Sequence, residues 1–300
     1  MNNRSFRNFL QQATALQGSV TPYIIRHVLA FGLFASVVQF LSNYFLRRYH
    51  FDLGIAANPF EIVGAVLGLL LIFRTNSSYD RWWEARKLWG GIVNQSRNLA
   101  INGLSYGPQE PEWREEFIRW VAVFPHVCRA NLRLEPPDEK VVALMGKEVT
   151  EQMWASNHMP NYVSFQIARL LRQALQEKKM DQFAFVQADV QRAQLIDHIG
   201  ACERILKTPL PLVYVIKIRR YLVLFLLALP FALLHRLESE WLIPLVTIGV
   251  AYPLMSLDQI GVELQNPFSQ KSLSHLPLDD ISDNIERNVK ALLGQAELLP

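Results

Sequence analysis

The sequence lacks the motifs through which many enzymes hold a metal or a phosphate group. It contains no HExxH, no CxxC, no glycine-rich phosphate loop and no Gly-x-Ser-x-Gly elbow. Its seven histidines are scattered singly. The adjacent Asp279 and Asp280 would point in different directions on a helix, so they do not form an acid–base pair. These absences predict a protein that is not an enzyme, with no catalytic residue, no metal site and no cofactor.

Cysteine and strong charge of one sign are also scarce. Only Cys128 and Cys202 occur, and neither lies at a metal-ligand spacing, so we expect ordinary buried thiols. The net charge is only +3, and no Lys/Arg cluster alternates with aromatic residues, which argues against a nucleic-acid partner. The first twenty residues lack the apolar core of a cleavable signal peptide.

Long apolar runs are what the sequence does contain. Half of the residues are hydrophobic and 19% are charged, which fits a protein partly in a membrane and partly in water. Residues 28–46, 62–73 and 241–257 carry no charge. Residues 221–234 carry no charge but are too few to span alone. They make a further span only if residues 210–218 belong to the same helix, in which case Lys217, Arg219 and Arg220 would snorkel or line a wet space. We therefore expect four transmembrane helices and a lipid-bilayer partner.

Amphipathic patterns fill the rest of the chain, and no strand alternation stands out. The prediction is an all-α protein in which the Lys/Arg-rich region after residue 74 is cytosolic. Four crossings then put both termini on the cytosolic side of the cytoplasmic (inner) membrane. The predicted division is 1–90 with transmembrane helices 1 and 2, 91–207 as a helical cytosolic domain, 208–258 with transmembrane helices 3 and 4, and 259–300 as a cytosolic helical tail.

The second apolar run organises the rest. At 100° per residue, Gly64 and Gly68 share one side of a helix, where a neighbouring helix could approach closely. Ile62, Val66 and Leu70 line the opposite side as a stripe of bulky alkyl groups. A pore-lining helix needs this arrangement, but a lipid-facing or core-facing helix shows the same periodicity. A ring of such stripes would make a narrow, poorly hydrated constriction, and only an oligomer with cyclic symmetry can supply it.

Several short motifs, spread in order over most of the chain, resemble those of the bestrophins. The apolar run is followed by an Arg-Trp-Trp motif at 81–83 and by Glu-Ala-Arg-Lys-Leu-Trp-Gly at 84–90. Thr-Pro-Leu-Pro-Leu-Val-Tyr follows at 208–214, then Asn-Pro-Phe at 266–268 and Leu-Pro-Leu-Asp at 276–279. The chain is similar to the prokaryotic members of this family.

The resemblance implies an ion channel: a cyclic homopentamer with a central pore that conducts small inorganic ions. It places a hydrophobic neck at Ile62, Val66 and Leu70. Counting back from Pro211, it places a cytosolic aperture at Phe183. The alternative is that Phe183 has only a structural role, as a core residue. Chloride is the family's best-known ion, whereas some prokaryotic members favour monovalent cations such as sodium. The uncharged neck does not decide between them, so we expect mouth charges such as Arg74 and Asp80 to set the preference.

One departure from the family concerns calcium. Animal bestrophins follow Asn-Pro-Phe with a dense acidic run that helps hold calcium, whereas here no carboxylate occurs between Phe268 and Asp279. Because calcium sites need several oxygen ligands, we expect no calcium-dependent opening.

Two other classes of protein compete with a channel. A membrane-anchored helical scaffold or signalling protein without ion flux would use the same amphipathic faces to bind a partner. A secondary transporter is disfavoured, because the sequence shows no inverted repeat and no buried charge inside its clean spans.

Overall fold

The structure, a computed structural model, describes residues 11, 13–237 and 239–296. The first ten residues of the predicted N-terminal segment and the last four of the predicted tail lie outside it. No strand occurs among the described residues, which confirms the all-α prediction. Ten helices are assigned in this part of the chain: α1 Thr21–Tyr49, α2 Asn58–Tyr106, α3 Pro111–Arg133, α4 Glu139–Met145, α5 Lys147–Ala155, α6 Met159–Gln176, α7 Gln182–Lys207, α8 Leu212–Leu233, α9 Leu242–Glu263 and α10 Leu278–Ala296.

The chain folds into two compact units, each built from separate stretches of sequence. The first unit contains the described residues up to 81 together with 209–265 and 271–274. The second unit contains 82–208, 266–270 and the described residues from 275 onward. Helix α2 runs without interruption through residue 90, where the predicted division between span and domain falls.

The first unit is a packed set of long apolar helices. Helix α1 packs against α8 and α9, and Leu67 and Leu71 of α2 join Leu222 and Leu226 of α8 in the core. Three described helices, α1, α2 and α9, are long and apolar enough to cross a membrane. Helix α8 has 22 residues, but any stretch of it long enough to cross a membrane includes three basic residues, Lys217, Arg219 and Arg220. The four-span prediction therefore stays a prediction.

Two details of these helices were open in the sequence. Residues 212–233 form one helix, so the joining of 210–218 with the following apolar run is confirmed from Leu212 onward. Helix α9 continues through Pro253, although proline lacks the N–H that a helix interior uses.

The second unit is built around helix α3, which is buried on nearly all sides. Its residues 117–130 lie inside, apart from Arg119, and α6, α7 and α10 pack around it. Short connections around Pro136 and around Lys178 separate these helices. Close packing also depends on Gly103 of α2, because a Cβ there would lie 2.1 Å from the ring of Phe117.

Candidate functional site

The apolar stripe of α2 lies on the surface of the protomer. Ile62 and Val66 are 69% and 51% exposed, and Leu70 is half-buried. The buried face of the same helix carries Leu67 and Leu71. Ile62 and Val66 are therefore not core residues of the protomer, which removes the core-facing alternative for them. Such a stripe is left to face lipid, another subunit or a pore.

The predicted close approach on the small side of α2 holds at one glycine. A Cβ at Gly64 would lie 3.1 Å from the ring of Phe225 on α8, so the neighbouring helix does approach closely there. Gly68 has open space beside it. The glycines therefore do not act as a matched pair.

Phe183 lies at the start of α7 and is 85% exposed. The carboxylate of Asp181 caps this helix, because it accepts hydrogen bonds from the backbone N–H of Phe183 at 2.9 Å and of Ala184 at 3.2 Å. The cap fixes the direction in which α7 begins. The core alternative for Phe183 is wrong, and the aperture assignment stays a prediction.

The structure corrects the expectation that Arg74 is a free charge at a pore mouth. Arg74 is 1% exposed, and its Nη1 donates to Oδ1 of Asp258 on α9. The other carboxylate oxygen of Asp258 accepts from Nε of Arg219 on α8 at 3.0 Å. Three helices thus meet at one carboxylate. Asp80, the other expected mouth charge, is exposed.

A second ionic cluster joins α3 to the start of α10. Asp279 accepts from Arg129 at 2.6 Å and from both terminal nitrogens of Arg133, at 2.9 and 3.1 Å. Arg129 also donates to Asp138 at 2.7 Å, and the carbonyl of Phe268 accepts from Arg133. Partial burial raises the pKa of Asp279, but the two guanidinium groups outweigh it and lower the pKa from 3.8 to about 2.

This shift predicts a pH dependence of stability. Because the folded-state pKa of Asp279 lies below the ordinary value of 3.8, its contribution is fully present above about pH 4 and is lost as the pH falls toward 2. We expect the difference in melting temperature between wild type and Asp279→Asn to be present at pH 5 and to shrink by pH 2.5. A constant difference across this range would contradict the assignment.

One group of side chains has the composition of a metal site, although the sequence shows no metal-ligand spacing. A ligand atom from each of His126, Asp283 and Glu286 lies within 4.8 Å of the other two. Both carboxylates already have cationic partners, since Lys140 contacts Asp283 at 2.5 Å and Lys290 contacts Glu286 at 2.7 Å. Burial lowers the pKa of His126. The prediction that no metal is bound stays a prediction.

Both cysteines are buried and free, as the sequence predicts. Burial raises the pKa of Cys202 to about 12 and also raises that of Cys128. Because the thiolate is the reactive form, these side chains are poor nucleophiles.

The fold and these surfaces define a helical integral membrane protein whose long apolar helices leave an uncharged stripe exposed. The family profile described as Bacterial/Fungal Bestrophin protein matches residues 1–291. The chain belongs to the bacterial/fungal bestrophin family. Membership places it among ion channels and not among enzymes, as the sequence predicts.

Individual relatives agree with this assignment. The chain is 33% identical over 290 residues to a voltage-dependent anion channel-forming protein from Nostoc sp., covering 95% of this chain and 92% of that protein. It is 30% identical over 298 residues to a protein of the same description from Ralstonia nicotianae, covering 98% and 95%. A solved bacterial Bestrophin homolog from Klebsiella pneumoniae matches with a TM-score of 0.82 and 26% identity, covering 90% of this chain and 98% of that chain.

Proposed function

We propose that this protein is an anion channel of the cytoplasmic membrane, assembled as a homopentamer around a central pore. Ile62, Val66 and Leu70 form its neck, and Phe183 forms a second narrowing on the cytosolic side. The observation that carries the proposal is the uncharged stripe of α2: the protomer leaves Ile62 and Val66 exposed and Leu70 half-buried, although the other face of the helix packs into the core. A stripe of this kind can line a passage that opens when water fills it.

The choice of anions rests on relatives. The Nostoc and Ralstonia proteins are both described as voltage-dependent anion channel-forming proteins, and each matches nearly the whole chain. The neck itself carries no charge that could reject either sign of ion. Chloride is therefore the proposed ion, and a sodium-type cation is the alternative.

The proposed topology has four spans, with both termini in the cytosol. Helices α1, α2 and α9 supply three spans. Helix α8 supplies the fourth, because its three basic residues can be accommodated: Arg219 pairs with Asp258, and the exposed Lys217 and Arg220 can extend their head groups toward the interface.

Reversal-potential measurement tests the function directly. Purified protein in a planar bilayer with asymmetric potassium chloride should carry discrete currents that reverse near the chloride equilibrium potential. Reversal near the potassium equilibrium potential would show that the channel conducts cations in preference to anions. Absence of current from correctly assembled protein would favour a membrane-anchored scaffold, whose amphipathic helices bind a partner without ion flux.

Changing Phe183 tests the aperture. We expect Phe183→Ala to change conductance or the anion-to-cation permeability ratio by about two- to tenfold, because an aromatic ring narrows a passage and offers its edge to a passing anion. Phe165→Ala is the matched control, since Phe165 is also strongly exposed in the second unit. Size-exclusion chromatography should show an unchanged oligomer. Wild-type permeation in the Phe183 variant would exclude it from the pathway.

A further inference from the structure

The ionic cluster of the first unit has one more positive charge than negative. It consists of Arg74 on α2, Arg219 on α8 and Asp258 on α9, with each carboxylate oxygen accepting from a different guanidinium. Arginine stays protonated in proteins, so neither cation can be neutralised by losing a proton. Nε and Nη2 of Arg74 are buried and have no hydrogen-bond partner among the described residues. The surplus charge is therefore fixed.

Burial makes this charge act over a longer distance than a surface charge does. Arg74 is buried, Asp258 is nearly so and Arg219 is half-exposed. Exposed charges on the same helix, such as Lys217 and Arg220, can extend their head groups to the interface, where water and salt screen them within about 8–10 Å. The Arg74–Asp258 pair is buried and holds the half-exposed Arg219 by a hydrogen bond, and charges in buried or partly buried pairs are screened much less. The charge of the cluster therefore affects a permeating ion at a given distance more strongly than the exposed Lys and Arg side chains of these helices do.

The cluster also lies close to the proposed neck. Arg74 is four residues beyond Leu70 on α2, which is about 6 Å along the helix axis. At 100° per residue, Arg74 lies about 40° from Leu70 and about 120° from Ile62 around α2, and its side chain is buried against α9. Since a helix with its side chains is about 10–12 Å across, an ion passing the stripe would lie about 10 Å from the guanidinium.

We propose that the surplus positive charge of the Arg74–Asp258–Arg219 cluster determines the anion preference of the channel from behind the pore wall. The inference rests on the proposed function and adds the residues that make it selective. Each subunit contributes one such charge at the same height, so the potentials of all subunits add at the axis. This field lowers the electrostatic free energy of an anion in the neck and raises that of a cation, although no charged group lines the neck. The residues act through the field and touch no ion.

Removing the surplus charge tests the proposal. Arg219→Gln leaves the buried Arg74–Asp258 pair intact and makes the cluster neutral, so the protein should still fold and assemble. We expect the chloride-to-potassium permeability ratio to fall about tenfold, measured as a shift of the reversal potential in asymmetric potassium chloride. Arg219→Lys keeps the charge but changes the hydrogen-bond geometry, and it should keep the wild-type ratio.

Arg220→Gln is the matched control, because it removes the same charge from the exposed neighbouring position on α8. The permeability ratio of this variant should change less than about twofold, because Arg220 can extend its head group to the interface, where water and salt screen its charge, whereas Arg219 is held by Asp258. The proposal is overturned if Arg219→Gln keeps the wild-type ratio, if Arg220→Gln shifts it equally, or if Arg219→Lys behaves like Arg219→Gln. In each of these cases the wild-type protein is still an anion channel, so the proposed function is unaffected. A wild-type channel that prefers cations or carries no current overturns the proposed function itself.

Discussion

Replacing Leu70 with alanine is expected to raise channel conductance or open probability by about tenfold. The substitution removes three carbon atoms from each subunit at the proposed neck, and each buried CH₂ group is worth about 0.8 kcal/mol of hydrophobic free energy. A wider and less apolar constriction holds water more readily, and ions cross only a hydrated passage. Single-channel recording in planar bilayers measures the change, and Ile62→Ala should act in the same direction.

The control is Leu33→Ala on α1, because Leu33 is a leucine of the first unit outside the proposed neck, and its side chain is 69% exposed. Its removal should leave the current unchanged. If Leu70→Ala and Ile62→Ala both gave wild-type currents, these residues would be excluded from the neck. An equal increase in the Leu33 variant would show that a general loosening of the protein is responsible.

The second large effect concerns stability. Asp279→Asn removes the shared carboxylate partner of Arg129 and Arg133, whose side chains are 7% and 3% exposed. Breaking a buried ion pair typically costs about 3–5 kcal/mol, because a charge stays buried without its partner. Asp138 and the carbonyl of Phe268 retain part of the pairing, and Asp279 itself is partly exposed. We therefore expect a loss of about 2 kcal/mol, or roughly 5 °C in melting temperature.

Tryptophan fluorescence during heating of the detergent-solubilised protein measures this loss. Asp280→Asn is the control, since it removes the same charge from the exposed neighbouring residue of α10. An Asp279 variant that melts with wild type would show that the two arginines do not depend on this carboxylate. A loss of similar size in the Asp280 variant would point to a general charge effect at the helix start.

Local pattern predicted most of the helices. The periodicity of residues 117–128 predicts a buried helical face, and α3 is indeed almost fully enclosed. The uncharged run at 28–46 lies within α1, and the tail forms α10. These features follow from side-chain spacing within one element, which the sequence displays directly. Pattern did not predict the unbroken length of α2, because polar residues after Phe73 are compatible with either a loop or a water-facing helix.

Contacts between residues far apart in the sequence do not follow from helical periodicity. Arg74 follows an apolar run and looks like a residue at the membrane surface, but its partner Asp258 is 184 residues away. The same holds for Asp279, which meets Arg129 across 150 residues. Pairs of this kind depend on how helices pack, and helical periodicity gives the face of a residue without identifying its neighbour. A buried arginine needs a carboxylate partner, and this requirement alone does not identify which Asp or Glu supplies it.

The Phe183 ambiguity had a different cause. A phenylalanine at a helix start, two residues after a capping aspartate, fits either a core or an exposed edge. Its 85% exposure excludes the core, and that value depends on which helices surround the start of α7. The capping aspartate can be recognised in the sequence, but the helices that surround the start of α7 cannot.

The discontinuous second unit has a consequence for the order of events during synthesis. Helix α3 is complete once residue 133 has left the ribosome, but its partners on α10 come from the final part of the chain. At about 5–20 residues per second, translation from residue 133 to residue 296, where α10 ends, takes roughly 8–33 seconds. During that interval the apolar face of α3 that will later receive Ile285 and Val289 has no cover. Nascent chains should then be most prone to aggregate, and a chaperone that shields apolar helix faces should raise the yield of folded protein.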